Sequence, residues 1–470
     1  MANSTPIPVV SHSDEEEQIV TPFKVESTTA INYMKLINKF GCDPIDGELL
    51  KRFERVTKTK ADTWLRRGIF FSHKDLSKVL DEKEAGRTVY LYTGRGPSSE
   101  AMHLGHMIPF RFTKFLQDAL EAILVIQMSD DEKFVFKGKA DGKSFEYYNR
   151  LTYENARDII ACGFDPERTY IWSNAKAMDG SMYANVTKID GSTTGNKIRG
   201  IYGLTLDSPV GALAWPSKQC APAFSNSFPS ILHPKGPYSE PFVDGSRTFM
   251  GKHMMCLVPM AIDQDPYFRM ARDFGAEYAK HGYLKPATIH TKFLVGLGGP
   301  HGKMSSTGTN VANTTLYMTD NIEQIRKKIM KHAFSGGKET KEDHQKYGGT
   351  LEDDVSYQYL CYFMHDDEEL KRIAHDYRSG KLLSGQIKKL MAELVCNLIS
   401  EHQKRREDVT DDVLRHFFNR NRKFNLTQSE REPVELETDE VYATYGINFD
   451  LTFGATAPVV EDSKSASSTV

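Results

Sequence analysis

Short apolar runs alternate with amphipathic segments through the middle of the chain. Residues 88–92 ("TVYLY") and 122–128 ("AILVIQM") are two such runs, and between them residues 102–120 place apolar side chains at helical intervals. A strand, a crossover helix and a second strand within about forty residues are typical of a parallel βαβ unit. The pattern therefore predicts that a parallel sheet begins here.

Two later apolar runs extend the predicted sheet. Residues 254–262 ("MMCLVPMAI") end in the charged turn "DQDPYFR", and residues 287–297 ("ATIHTKFLVGL") continue into "GGPHGKMSSTGTN". Strands that end in polar, glycine-bearing loops are typical of a doubly wound fold, in which ligands bind at the carboxyl ends. We therefore predict an α/β protein with a Rossmann-like, doubly wound parallel sheet.

The pattern becomes helical after residue 319, where residues 385–402 ("GQIKKLMAELVCNLISEH") carry an apolar stripe typical of a core-facing helix. Residues 442–453 are predicted to pack back on the molecule as a strand. The predicted units are a disordered tail at 1–20, a helical segment packing on the central domain at 21–86, the Rossmann-like domain at 87–318 with a surface insertion at about 233–253, a helical domain at 319–424, and an extension at 425–470 with a disordered end.

Composition and charge restrict the classes of function. The 470 residues carry a formal net charge of −3, so no global positive field attracts nucleic acid. The six cysteines include no C-x-x-C pair, which argues against a zinc ribbon or disulfide scaffold and favours a reducing compartment. The N-terminus lacks the apolar core of a secretion signal, and no apolar run is long enough to span a membrane. We therefore expect a cytoplasmic protein without a membrane partner.

The segment 102–110 ("MHLGHMIPF") places two histidines at the predicted start of a helix. His103 and His106 share one face of the first turn, where free N–H groups and the helix dipole favour anions. Gly105, without a Cβ, allows a flat ring or a ligand to approach closely. A phosphate site is favoured over simple packing of the two rings. A zinc site is disfavoured, because neither H-E-x-x-H nor a cysteine pair completes the ligands.

Residues 298–308 ("GGPHGKMSSTG") form a glycine-rich loop around a single lysine, Lys303. A mobile lysine followed by hydroxyl residues suits a loop that closes on developing phosphate charge. Alone, the same pattern also describes a solvated surface lysine.

Together, the H-x-G-H and K-M-S-S segments resemble the paired signature of class I aminoacyl-tRNA synthetases, "HIGH" and "KMSKS". The resemblance implies that His103 and His106 hold ATP phosphates. It also implies that Lys303 stabilises the charge formed when an amino acid carboxylate attacks the α-phosphate. Ser305 joins these three as a catalytic residue.

The chain departs from this signature at three positions, with Leu104 for Ile, Ser306 for Lys and Thr307 for the last Ser. The loop therefore has one lysine where the longer pattern has two.

Longer strings resemble the tryptophanyl-tRNA synthetase family of the eukaryotic cytoplasmic type. They include "YLYTGRGPSSEAMHLGH", "VIQMSDDEKF", "APAFSNSFP", "AIDQDPYFRM" and "HAFSGGK", and the resemblance runs from about Pro22 to Phe418. It implies ATP-dependent activation of L-tryptophan, transfer to tRNA(Trp), a homodimer, and a C-terminal helical domain that reads the anticodon.

An indole needs apolar walls and an acceptor for its single N–H. Tyr92 and Gln127 end neighbouring predicted strands, and the resemblance implies that they meet the indole nitrogen. By the same resemblance, Glu132, Gln219 and Gln264 hold the substrate ammonium.

The predicted ATP site combines the turn before the helix with both signatures. Magnesium is expected as a counter-ion held mainly through ATP phosphates, with no protein metal site. The predicted ATP-binding residues are Thr93, Gly94, Arg95, Gly96, His103, Gly105, His106, Lys303, Met304, Ser305 and Ser306.

Three rival functions remain open from the sequence. A tyrosyl-tRNA synthetase has the same fold, a nucleotidylyltransferase can also use an H-x-G-H helix start, and a catalytically idle relative could bind RNA or a partner. Two basic stretches, 324–332 and 402–407, are candidates for tRNA contact, with a solvated surface as the alternative.

Overall fold

The computed structural model describes residues 18–20, 25–26, 31–178, 180–245, 247–299, 303–304 and 311–454. Within these ranges the strands are β1 Ile19–Val20, β2 Val25–Glu26, β3 Asp43–Pro44, β4 Phe70–Lys74, β5 Val89–Arg95, β6 Ile123–Met128, β7 Thr169–Ser173, β8 Met255–Ala261 and β9 Ala287–Thr291. The α-helices are α1 Tyr33–Phe40, α2 Gly47–Thr57, α3 Thr63–Arg66, α4 Leu76–Glu84, α5 Leu104–Leu120, α6 Asp130–Lys133, α7 Lys139–Asp141, α8 Phe145–Ile160, α9 Asn174–Ala177, α10 Gly180–Ser192, α11 Gly195–Tyr202, α12 Val210–Cys220, α13 Pro229–Leu232, α14 Asp265–Glu277, α15 Val311–Thr314, α16 Ile322–His332, α17 Lys341–Tyr347, α18 Val355–Phe363, α19 Asp367–Arg378, α20 Ser384–Glu407, α21 Asp411–Phe418 and α22 Asp439–Ala443.

One seven-stranded sheet organises the chain, with the order β3-β4-β9-β8-β5-β6-β7. The five strands from β9 to β7 are parallel, whereas β4 is antiparallel to β9 and β3 is antiparallel to β4. The predicted α/β fold with a mostly parallel sheet is confirmed, and so are the four predicted apolar strands. The last of these stops at Thr291 rather than at residue 297.

Alternate residues of the central strands enter two separate cores. Val89 and Leu91 of β5 pack against α5 on one face, while Tyr90 and Tyr92 enter an aromatic core on the other face. Because both faces are covered, the strand residues are continuously buried, as expected for parallel strands. The second core includes Trp172 and forms the walls beneath the candidate site.

The N-terminal segment contributes strands as well as helices. β4 lies entirely in the protein core and pairs with β9, with Ser72 opposite His290. The sequence pattern predicted only helices in this segment. A five-residue strand that is buried on both faces shows no alternation of apolar and polar residues, so the pattern does not reveal it. β7 was likewise not predicted.

The predicted strand over 442–453 is wrong. Residues Asp439–Ala443 form α22, and Gly446–Asn448 form a 3-10 turn. The segment does pack back on the molecule: Tyr442 is fully buried, its hydroxyl donates to Glu54 Oε2 at 2.7 Å, and Ile447 N–H donates to Ile45 O at 2.8 Å. Thr438 caps α22, so the backbone is satisfied by a helix turn rather than by a sheet edge.

The insertion at 233–253 lies at the surface, where Tyr238 and Phe249 form a short bridge and Val243 is exposed. Residues 1–17 and 455–470, which hold most of both predicted disordered tails, lie outside the described residues. Among the described helices, none has the length and apolarity needed to cross a membrane.

Candidate active site

Four neighbouring parallel strands bring the predicted residues to one edge of the sheet. β5 ends at Arg95, β6 at Met128, β8 at Ala261 and β9 at Thr291. Parallel strands present their carboxyl ends at the same edge, and in open α/β sheets ligands bind there.

His103 and His106 stack on each other at the N-terminus of α5. Their ring centroids are 3.4 Å apart at an interplanar angle of 20°, and the His103 backbone N–H donates to His106 Nδ1 at 3.3 Å. Gly105 makes room for this arrangement, because a Cβ at that position would lie 3.2 Å from His103 Nδ1 and 3.6 Å from Met304 Cβ. The sequence suggested that this glycine makes room for a flat ring or for a ligand. The structure shows the His103 ring close to it.

Burial keeps both imidazoles neutral. Burial, with Arg95 and Lys303 nearby, lowers the pKa of His103 to about 3, and burial lowers the pKa of His106 well below its usual value. A neutral imidazole offers one N–H donor and one acceptor. His103 Nδ1 is buried and has no hydrogen-bond partner among the described residues.

Thr93, Gly94 and Arg95 lie within β5, not in the turn that the sequence predicted. Thr93 pairs with Ile126 of β6, and Gly94 pairs with Gln127. A Cβ on Gly94 would lie 3.0 Å from the backbone oxygen of Gln127. These two residues therefore set the close packing of the strands at the sheet edge.

The Arg95 guanidinium has one nitrogen in a hydrogen bond and another without a partner among the described residues. Its Nε donates to Asn155 Oδ1 at 3.2 Å, while its Nη2 is buried and lacks a partner within the part of the chain that is described. Burial lowers the pKa of Arg95 to about 10, so the group remains cationic at neutral pH. An arginine held in this way has N–H groups left for an anion.

Gly96 lies against an ion pair rather than against open space. Lys133 Nζ contacts Glu132 Oε1 at 2.8 Å, and Ser129 Oγ donates to Glu132 Oε2 at 2.9 Å. A Cβ on Gly96 would lie 2.5 Å from Glu132 Oε2 and 2.9 Å from Lys133 Nζ. A side chain at this position would therefore displace the ends of Glu132 and Lys133.

Lys303 is paired with a buried carboxylate that sequence reasoning missed. Its Nζ lies 2.6 Å from Asp263 Oδ2 and 5.6 Å from the centroid of the Phe293 ring. Met304 is buried and donates its N–H to Leu294 O at 2.7 Å. Ser305 and Ser306 lie outside the described residues.

Tyr92 and Gln127 meet directly above the aromatic core. The Tyr92 hydroxyl lies 2.7 Å from Gln127 Oε1 and 3.0 Å from Gln219 O, and both side chains are buried. Gln127 Nε2 donates to Asn174 Oδ1 at 3.1 Å, and the Trp172 indole donates to the same oxygen at 3.1 Å. Burial raises the pKa of Tyr92 well above its usual value, so the hydroxyl keeps its proton.

The residues predicted to hold an ammonium all border this site. Glu132 follows β6, and the backbone oxygen of Gln219 on α12 lies 3.0 Å from the Tyr92 hydroxyl oxygen. Gln264 is partly buried in the turn after β8, directly next to Asp263, the partner of Lys303.

Two further contacts support this edge and were also missed from the sequence. Asp131 receives Lys218 Nζ at 2.9 Å and Asn174 Nδ2 at 2.9 Å. Asp131 lies in the sequence "SDDEK" (129–133) and Asp263 in "AIDQDP" (261–266). In the sequence, the one indication of a role for these two aspartates is that each stands next to a predicted substrate-binding residue. Only the tertiary contacts distinguish them from acidic residues on the surface.

The basic stretch 402–407 is largely occupied by contacts to α8. Arg406 Nε lies 2.9 Å from Asp158 Oδ1, and Arg405 donates to Ala161 O at 2.9 Å. By contrast, Arg326 and Lys327 in the stretch 324–332 are exposed.

The chain is similar in sequence to a known protein family and to curated members of it. The family described as "tRNA synthetases class I (W and Y)" matches residues 83–198 and 248–400. The cytoplasmic tryptophan--tRNA ligase of Homo sapiens is 45% identical over 420 residues, which cover 88% of this chain and 84% of the human one. The corresponding Dictyostelium discoideum protein is 43% identical over 419 residues, covering 89% of this chain and 98% of that protein.

Solved structures agree with these sequence relatives. The Plasmodium falciparum tryptophanyl-tRNA synthetase superposes with a TM-score of 0.73 at 42% identity, covering 83% of this chain and 96% of that one. The Encephalitozoon cuniculi tryptophanyl-tRNA synthetase bound to tryptophan gives a TM-score of 0.69 at 37% identity, covering 83% and 100%. With the family match extending over more than half of its length, this chain belongs to the class I tRNA synthetases of the tryptophan and tyrosine family.

Proposed function

We propose that this chain is a cytoplasmic tryptophan--tRNA ligase. The observation that carries the proposal is its 45% identity, over 88% of its length, to the human cytoplasmic tryptophan--tRNA ligase. In the reaction, the carboxylate of L-tryptophan attacks the α-phosphate of ATP and releases diphosphate. A terminal hydroxyl of tRNA(Trp) then attacks the acyl carbon and releases AMP. The tyrosine-specific alternative is not favoured, because the curated relatives described above carry tryptophan in their names.

Under this proposal, the phosphates of ATP lie at the start of α5. His103 and His106 are neutral and donate without adding charge, while Arg95 supplies a cationic N–H group. The buried, unpartnered atoms His103 Nδ1 and Arg95 Nη2 support this placement within the described site. Mg²⁺ enters with ATP and is held through phosphate oxygens.

Lys303 acts on the diphosphate side. Since its ammonium pairs with Asp263 at 2.6 Å, it must exchange this carboxylate for phosphate oxygens as the charge develops. Ser305 and Ser306 assist in the same loop. The chain's own groups thus bind and orient the reactants and stabilise charge, with no protein nucleophile.

The indole is recognised between β5, β6 and the aromatic core. Gln127 Oε1 already receives the Tyr92 hydroxyl, and its second lone pair accepts the indole N–H. Glu132, Gln219 and Gln264 hold the substrate ammonium.

Residues 87–318 form the catalytic domain, and residues 319–424 form the domain that binds the anticodon. The active form is a homodimer in which each tRNA spans both subunits. The exposed basic residues of 324–332 are the stronger candidates for tRNA contact, because Arg405 and Arg406 are engaged by α8.

The decisive experiment is amino-acid-dependent exchange between ATP and labelled diphosphate across the panel of amino acids. Tryptophan alone should drive exchange, and the same preparation should then charge tRNA(Trp). Exchange driven by tyrosine, or by no amino acid, would overturn the proposal.

A further inference from the structure

A buried triad of Cys42, Asp265 and His290 lies next to the turn that carries Asp263 and Gln264. Cys42 follows the C-terminus of α1, Asp265 is the first residue of α14, and His290 lies in β9. Their exposed fractions are 8%, 1% and 0%. One donor atom from each, a sulfur, a carboxylate oxygen and a ring nitrogen, lies within 4.8 Å of the others.

Two atoms of this triad form a close pair. His290 Nε2 and Asp265 Oδ1 are 3.2 Å apart, and neither atom has another hydrogen-bond partner among the described residues. Buried polar atoms are normally satisfied, because leaving one unpaired costs about 1–3 kcal/mol. A positive charge between the two atoms satisfies both of them, and it is either a proton on His290 Nε2 or a metal ion.

Ser72 explains how the histidine would present a lone pair. It lies opposite His290 across the β4–β9 ladder, and its Oγ is 3.0 Å from His290 Nδ1. When Nδ1 donates to Ser72, Nε2 carries a lone pair directed at Asp265. A ring nitrogen whose partner nitrogen is held by a second residue is the usual arrangement of a metal-binding histidine.

From these contacts we infer that Cys42, Asp265 and His290 bind one zinc ion. Thiolate, imidazole and carboxylate are the protein ligands of Zn²⁺, and tetrahedral coordination places neighbouring nitrogen and oxygen ligands roughly 3.3 Å apart. The 3.2 Å separation of His290 Nε2 from Asp265 Oδ1 fits this spacing. A water molecule completes the four ligands, and the thiol proton of Cys42 is released to solvent on binding.

Lys74 moderates the affinity of this site. Its Nζ lies 2.6 Å from Asp265 Oδ2, whereas His290 Nε2 contacts Asp265 Oδ1. Binding adds two positive charges and removes one proton, so the site gains one net positive charge beside this ammonium. The zinc ion is therefore held more weakly than it would be without Lys74.

The ion would join three elements that the chain brings together only on folding. α14 begins directly after the turn that carries Asp263 and Gln264, so a metal on Asp265 would fix the C-terminal end of that turn. The expected consequence is stability of the folded chain, which is measurable without any assay of activity.

The test uses the full-length protein after removal of metal with a chelator. Titration with zinc alone should give one ion per chain and raise the melting temperature. Titration with Co²⁺ should give a thiolate-to-cobalt charge-transfer band and the visible bands of a tetrahedral site. Absence of stoichiometric zinc, or a cobalt spectrum without the thiolate band, would overturn the inference.

Matched variants assign the ligands. Cys42→Ser should abolish the charge-transfer band, whereas Cys361→Ser, which removes another buried thiol on α18, should leave it unchanged. Ser72→Ala should weaken zinc binding by about 10- to 100-fold, the usual effect of losing an outer-shell partner. Lys74→Met should bind zinc more tightly. Equal zinc binding by Cys42→Ser and the unchanged protein would exclude Cys42 as a ligand and overturn the proposal.

Discussion

At the scale of single residues, burial decides the charge of the two histidines in the candidate site. His103 and His106 are neutral, Arg95 stays cationic and Lys303 is held by Asp263. Under the proposed function, the phosphates meet neutral donors at the helix start and two separate cations. This division makes each side chain testable by itself.

Replacing Lys303 by Met should lower the rate of ATP–diphosphate exchange by about 100- to 1,000-fold, the loss typical of one transition-state donor. Tryptophan binding, measured by fluorescence or calorimetry, should change little, because Lys303 contacts Asp263 and Phe293 rather than Tyr92 or Gln127. Lys371→Met, at an exposed position, is the matched control. Full activity of Lys303→Met would show that the loop lysine has no catalytic part.

Replacing Gln127 by Ala should weaken recognition of the indole. Loss of a buried acceptor costs about 1–3 kcal/mol, so kcat/KM for tryptophan should fall roughly 5- to 150-fold. Activity toward phenylalanine, which has no N–H on its ring, should change much less. The measurement is exchange with both amino acids, and an unchanged ratio between them would remove Gln127 from this role.

At the scale of elements, the turn between β5 and α5 is shaped by α6. Glu132 and Lys133 occupy the space beside Gly96, so the conformation of this turn and the position of Glu132 depend on each other. The turn at Gly96 therefore depends on Glu132 and Lys133, which follow the next strand, β6.

Replacing Gly96 by Ala should displace Glu132, because the new Cβ would lie 2.5 Å from its Oε2. We expect the KM for tryptophan to rise by about tenfold, equivalent to about 1.4 kcal/mol, with a smaller change in the melting temperature. Gly191→Ala in α10 is the control, since nothing lies within 4 Å of a Cβ there. An unchanged KM in Gly96→Ala would separate Glu132 from tryptophan binding.

At the scale of the whole molecule, the C-terminal strap, residues 425–454, connects three parts of the chain. It runs from the amino ends of β6 and β7, across α2, to the helical domain. Its contacts include Asn425 with Glu167, Ser429 with Glu121, Arg431 with Asp118, Glu437 with Lys60, Asp439 with Lys51, Tyr442 with Glu54 and Leu451 with Tyr357.

Removing the Tyr442 hydroxyl should destabilise this assembly. Glu54 is buried, so Tyr442→Phe leaves one of its oxygens without that donor and should cost about 1–3 kcal/mol. A lower melting temperature should follow, with activity at low temperature unchanged because the strap lies away from the β5–β6 edge. Tyr183→Phe, at an exposed tyrosine, should have no effect. Equal melting temperatures for both variants would show that the strap contributes no stability here.

Stability should also fall as the pH drops below neutral. Burial lowers the pKa of His73 and His233 to about 4 and that of His103 and His253 to about 3, from an ordinary value of 6.5. Below pH 6.5 these histidines bind protons in the unfolded chain but stay neutral in the folded chain. The free energy of unfolding therefore decreases toward pH 4. Thermal melts at about pH 7.5 and about pH 5.5 measure this loss, and His253→Gln should reduce it. A melting temperature that rises on acidification would contradict the expectation.

The sequence by itself determined four of the five parallel strands, the helix that begins at the two histidines and the family to which the chain belongs. Hydrophobic periodicity and the positions of glycines are local properties of the sequence. They can therefore be interpreted without knowledge of long-range contacts. Only the tertiary structure decided that β4 joins the sheet, that residues 439–448 form helical turns rather than a strand, and that Asp263 holds Lys303. Each of these depends on a partner far away in sequence: β9 for β4, Glu54 for Tyr442, and a loop forty residues distant for Asp263. The identity of a buried partner is a property of packing, and no local pattern encodes it.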